Sequence, residues 1–209
     1  MNFIFFLGFG IKKQMFMKKD IYKYLSKFGE VLVPELDYSV SLEENLNNIK
    51  FTHKKYVVIG HSLGAYFVYK INKLIPNKIS FSIILDGSLI LKEYHKILEE
   101  EFTREKKYDL WIKNPLKRYS EEFYQLKKIK KNFYNIRNIE TKPDSSMLRE
   151  APYWTECCLK EAYKMEKINP KTYYNFFLFN EGHNFFITKK GFPQVKKILD
   201  LIFKELSRC

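Results

Sequence analysis

The chain has 209 residues, 45% of them hydrophobic and 29% charged, which suits one α/β domain with a single sizeable core and excludes a disordered polypeptide. The formal net charge is +13, yet the lysines are spread along the whole chain and no RNA-binding or helix-turn-helix signature accompanies them. The charge therefore reads as a solvated surface, and no specific nucleic-acid partner is expected. Cys157, Cys158 and Cys209 offer neither a disulfide framework nor a zinc spacing, so a reduced, cytoplasmic compartment is expected.

Residues 2–7 form a continuous apolar run ended by Gly8-Phe9-Gly10, which suits an interior parallel strand. The run is too short to span a membrane and lacks the basic start of a leader. A helix is expected over 14–28, stopped by Gly29, then a strand at Val31-Leu32-Val33. Ser41 is placed to cap a helix running to about Ile49, with Glu44 three residues on. A third strand at 57–60 leads into a helix to about Leu74, and 79–85 is a fourth apolar strand closed by Asp86-Gly87. The charged, aromatic-bearing region 89–132 reads as helices broken at Pro115. A fifth strand at 133–139, a turn-rich loop at 141–146, a helix at 152–165, an aromatic strand at 172–179 and an amphipathic helix at 194–206 complete the chain. Strands alternate with helices, so the fold class is α/β with a mostly parallel sheet and helices on both faces.

The chemistry concentrates at Gly60-His61-Ser62-Leu63-Gly64. A serine in G-x-S-x-G between a strand and a helix stands on a tight turn with Oγ at the carboxyl end of the sheet. The amides that open the following helix are free to hold a developing oxyanion. Serine alone is a poor nucleophile and needs a base, which in turn needs a carboxylate to fix its tautomer. Reactive residues at three strand ends can supply them: Ser62, then Asp86 or Asp144, then His183. His61, next to Ser62, is expected to support the packing rather than act as the base.

The chain resembles the α/β-hydrolase superfamily. The matching pieces are Leu7-Gly8-Phe9-Gly10 after the first strand, Gly60-His61-Ser62-Leu63-Gly64 at the elbow and Gly182-His183-Asn184-Phe185 before the last helix. The resemblance implies Ser62 as nucleophile and His183 as base, in a small member of about six strands that lacks the family's first two. It implies one domain over 1–209 with 89–132 as a helical cap. In the family the acid commonly follows the strand before the histidine's, which favours Asp144; Asp86 fits a variant position one strand earlier. The oxyanion donors implied are the amides of Leu63 and Phe9, although Leu7 stands where the family usually carries histidine.

The function expected is that of a serine hydrolase, an esterase, lipase or thioesterase, acting on a small-molecule acyl ester or thioester with no metal or organic cofactor. Two rivals remain open: a non-catalytic receptor or scaffold on the same fold, and a basic protein that binds nucleic acid or a membrane surface.

Overall fold

A computed structural model describes residues 1–8, 10–87, 100, 119, 131–139, 151–179 and 181–206, and for 151–158 and 206 the backbone alone. The described strands are β1 (Phe3–Phe6), β2 (Val31–Leu32), β3 (Tyr56–His61), β4 (Ile79–Leu85), β5 (Phe133–Ile139) and β6 (Tyr173–Phe179). They form one sheet in the order β2-β1-β3-β4-β5-β6, with every neighbouring pair parallel. The described α-helices are α1 (Lys13–Phe16), α2 (Asp20–Ser26), α3 (Leu42–Asn47), α4 (Gly64–Leu74), α5 (Ala151–Ile168) and α6 (Phe192–Leu206).

Side chains alternate across the strands, and each face is apolar, so both must be covered. Phe3, Phe5, Val57 and Ile59 point to one face, where they meet Ile21 and Leu25 of α2 and Val195, Leu199 and Ile202 of α6. Ile4, Phe6 and Val58 point to the other and meet Leu42 and Leu46 of α3 and Phe67 and Ile71 of α4. The cap expected on α3 is in place: Ser41 Oγ accepts from the Glu44 amide at 3.1 Å.

One expected helix is two. The segment 14–28 breaks between α1 and α2, where Lys19 is extended (φ −83°, ψ 154°). In a continuous helix Phe16 and Ile21 would lie about 140° apart around the axis. The break lets both be fully buried in the same core.

The order of strands sets the position of the site. From β1 the chain moves outward to β2, then returns past β1 to β3. Loops leaving β1 and β3 therefore diverge to opposite faces and open a crevice between their carboxyl ends, the usual ligand position in such sheets.

Candidate active site

Ser62 stands at that switch point. It follows β3 directly, its φ is +52°, and its amide donates to the carbonyl of Leu85 at the end of β4 (3.2 Å). Holding a non-glycine residue there costs about 1–2 kcal/mol, so the surroundings must force the turn. They do so by close packing. A Cβ on Gly60 would come within 2.5 Å of the Gly64 carbonyl oxygen, and one on Gly64 within 2.1 Å of the Phe6 carbonyl oxygen. Helix α4 thus presses onto β1 and β3 where any side chain would hold it off. Leu63 opens α4, and amides in a first helical turn have no carbonyl one turn earlier to bond.

On the β1 side, a Cβ on Gly8 would come within 2.8 Å of Ser62 Cβ and 2.7 Å of His61 Nδ1. The loop is fixed at both ends: the Tyr38 hydroxyl donates to the Leu7 carbonyl at 2.8 Å, and the Ile11 amide donates to the Gly8 carbonyl at 3.3 Å. Gly10, at φ +82°, supplies the left-handed residue of that turn. Phe9, the expected second oxyanion donor, lies outside the described residues.

Asp86 follows β4 directly and is the other described non-glycine residue with positive φ (+47°). Its amide donates to the Ile136 carbonyl of β5 at 2.8 Å. Both carboxylate oxygens are engaged. Oδ1 accepts from the Asn138 amide at 3.0 Å, and Oδ2 lies 2.6 Å from His183 Nδ1. The carboxyl group is buried, while the imidazole of His183 is 29% exposed and so can meet a substrate. A carboxylate can only accept, so Nδ1 of His183 is the donor in this contact.

His183 reaches Asp86 because its loop folds back over the sheet. From the end of β6 the chain passes above β5, and Phe186 is fully buried on the far side. Its ring lies 5.9 Å from that of Phe5 in β1 and 4.4 Å from that of His61 in β3, centroid to centroid. Burying Phe186 there draws the imidazole across the top of β5. Asn138, at the end of β5, bridges the gap: its side-chain oxygen accepts from the Glu181 amide at 2.9 Å.

No protein-family model and no curated protein matches the sequence. Solved structures do match the fold. An alpha/beta hydrolase enzyme from the metagenome of sediments of the Mar Chica lagoon, Morocco, is 17% identical with a TM-score of 0.66, over 99% of this chain and 91% of that one. A carboxylesterase of the ammonia-oxidizing thaumarchaeon Nitrososphaera gargenis is 13% identical with a TM-score of 0.63, over 98% of this chain and 91% of that one. The Vlm2 thioesterase domain is 13% identical with a TM-score of 0.57, over 95% and 91%. The fold is that of the α/β hydrolases.

On this α/β-hydrolase fold, Ser62 and Leu63 follow the carboxyl end of β3, and His183 lies in the loop after β6. The carboxylate set against the imidazole is that of Asp86; Asp144, the acid favoured from the sequence, lies outside the described residues, as does most of the expected cap at 89–132. Tyr119, from that region, is buried and its hydroxyl donates to the Val40 carbonyl at 3.0 Å. Glu181 does not serve His183; its Oε1 accepts from Gln194 at 2.7 Å and pairs with Lys190 at 3.1 Å. His53 pairs with Glu30 at 2.6 Å at the amino end of the sheet, away from the site. Among the described residues no group of three His, Cys, Asp or Glu is arranged to hold a metal ion, and no helix is long and apolar enough to cross a membrane. Sequence reading missed Asn138, whose only signal was a polar residue at a strand end.

Proposed function

We propose that the protein is a serine hydrolase of carboxylic esters or thioesters, with Ser62 as nucleophile, His183 as base and Asp86 as the orienting acid. The observation that carries the proposal is the 2.6 Å contact of Asp86 Oδ2 with His183 Nδ1, on a sheet whose β3 ends in a serine held in a left-handed turn. A proton on Nδ1, donated to Asp86, is the tautomer the chemistry needs. Ser62 Oγ attacks the acyl carbonyl and its proton passes to Nε2 of His183. The resulting imidazolium is stabilised by Asp86. The oxyanion is held by the Leu63 amide and, in this proposal, by that of Phe9. His183 then returns its proton to the leaving alcohol or thiol as the tetrahedral intermediate collapses to an acyl-Ser62. Water, deprotonated by His183, repeats the sequence and frees the acid. The Nitrososphaera carboxylesterases and the Vlm2 thioesterase domain, similar in fold, are consistent with both leaving groups.

The test is covalent labelling with a fluorophosphonate, followed by peptide mapping. The expected result is a label on Ser62 that disappears in Ser62→Ala, together with loss of p-nitrophenyl ester hydrolysis. A folded protein that takes no label and cleaves neither short nor long acyl esters would sink the proposal.

A further inference from the structure

His61 is the buried titratable group that the proposed reaction does not use. It is 2% exposed, deep in a site where leucine or phenylalanine would fill the same space at less cost. Its Nε2 lies 3.1 Å from the main-chain carbonyl oxygen of His183. A carbonyl can only accept, so Nε2 carries the proton and Nδ1 bears the lone pair. Nδ1 is buried against Gly8, and among the described residues nothing donates to it. A second proton on Nδ1 would be equally buried and without an acceptor, so the ring is held neutral. Burial first, and the neighbouring His183 second, keep its pKa well below the ordinary histidine value, outweighing the opposing bond to the His183 carbonyl. The ring also packs on that of His183, centroids 4.7 Å apart.

The segment this bond restrains has reason to be loose. Gly182, at φ +75°, sits between Glu181 and His183, and glycine leaves the chain free to pivot there. The pivot is clamped on both sides: the Glu181 amide by Asn138, the His183 carbonyl by His61. The Asp86 contact fixes the ring but not the main chain that carries it.

We infer that His61 is a positioning residue for the base, a neutral imidazole that grips the main-chain carbonyl of His183 and so fixes where its Nε2 stands over Ser62. The inference rests on reading Ser62 and His183 as nucleophile and base. Losing the grip lets the reacting nitrogen wander, and misplacement by about 1 Å can cost on the order of 100-fold in rate. The effect falls on kcat, because the acyl group is bound elsewhere.

Three variants test this: His61→Phe, which keeps a ring but no donor; His61→Gln, whose amide nitrogen has nearly the same reach; and Ser62→Ala. Each is read by kcat and KM on p-nitrophenyl butyrate, by the rate of fluorophosphonate labelling and by thermal melting. His61→Phe is expected to lose about 10–100-fold in kcat and in labelling rate with KM within about threefold. His61→Gln is expected to recover most of the loss. A folded His61→Phe that works at the wild-type rate overturns the inference, as does a His61→Gln no better than His61→Phe. If His61→Phe does not fold, nitrogen-15 spectra of the wild-type imidazoles decide: a neutral, Nε2-protonated His61 supports the inference and any other form overturns it. A Ser62→Ala protein that still labels and turns over removes the parent reading as well; a silent one with full-speed His61→Phe removes only the role of His61.

Discussion

Asp86→Asn is the perturbation that most directly separates one carboxylate from its rivals. The replacement amide keeps its oxygen on the Asn138 amide, because the reverse orientation would set two donors 3.0 Å apart. Its nitrogen then takes the place of Oδ2, 2.6 Å from His183 Nδ1. An N–H in that place forces Nδ1 to accept, which moves the imidazole proton to Nε2, the nitrogen that must take the proton of Ser62. The charge that stabilises the imidazolium is lost as well. The same exchange in a serine protease lowers kcat about 10⁴-fold, so a loss of roughly 10³–10⁴ is expected, or about 4–5.5 kcal/mol of barrier. Stability should hardly change, since asparagine tolerates the left-handed region as well as aspartate does and the backbone bond from residue 86 to Ile136 is kept. The assay is kcat on p-nitrophenyl butyrate beside a melting curve, with Asp144→Asn in parallel and expected within about threefold of wild type, the ordinary result away from a site. An Asp86→Asn protein within tenfold of wild type, beside a disabled Asp144→Asn, would return the acid to the loop after β5 and refute the assignment.

Three further outcomes follow from buried groups and strained backbone. Arg137 and Glu161 form an ion pair at 1% and 0% side-chain exposure; Arg137→Met removes the buried cation facing the carboxylate and should cost about 3–5 kcal/mol by urea unfolding, whereas the double replacement Arg137→Met, Glu161→Met should recover most of it. The pKa of His61 lies well below its unfolded value of 6.5, so the unfolded chain binds a proton that the folded chain refuses. Stability present above pH 6.5 should fall as the pH drops below it, by up to about 1.4 kcal/mol per pH unit more than in His61→Gln, and parallel curves for the two proteins would contradict this. Ser62→Gly should be more stable than Ser62→Ala by about 1 kcal/mol, the reverse of their order in a regular helix or strand, because only glycine occupies φ +52° without strain; chemical denaturation of the two variants decides the sign.

The sheet was legible because its strands are buried on both faces. Continuous apolar runs mark β1 and the start of β3, β4 is apolar but for two serines, and the expected bounds of β4 and β5 coincide with the observed ones. The elbow was legible because its two glycines and serine stand together in one five-residue motif, although Gly64 is pressed on Phe6 and Ser62 is bonded to Leu85 from distant parts of the chain. The partner of His183 was not, because it is decided by a long-range event, the burial of Phe186 against Phe5 and His61. With the loop drawn across the sheet, the carboxylate within reach is the one ending β4. A reading confined to the order of strands looks instead to the neighbour of β6. Asp86 did carry a signal, an aspartate closing an apolar strand, but sequence alone left it beside Asp144. The hydrogen bond of His61 joins residues 122 apart in the chain and has no local mark.

The hydrogen bonds at the top of the sheet form a lateral series that starts at Ser62 and ends two residues before His183. Ser62 is tied to Leu85, Asp86 to Ile136 and Asn138, and Asn138 to Glu181, two residues before His183. Each link joins the end of one strand to the next, and each uses main chain or a short side chain with few torsions to freeze. A site assembled this way needs little ordering when substrate arrives, which is the condition for positioned groups to lower a barrier. The two left-handed residues, Ser62 and Asp86, lie where this series leaves β3 and β4. Their strain of about 1–2 kcal/mol each is partly offset by the amide bond each residue donates to the neighbouring strand. That coupling explains why both strained positions carry side chains assigned to the chemistry. A left-handed turn at a strand end lifts the side chain out of the pleat and toward the crevice, and the lateral bonds keep it there.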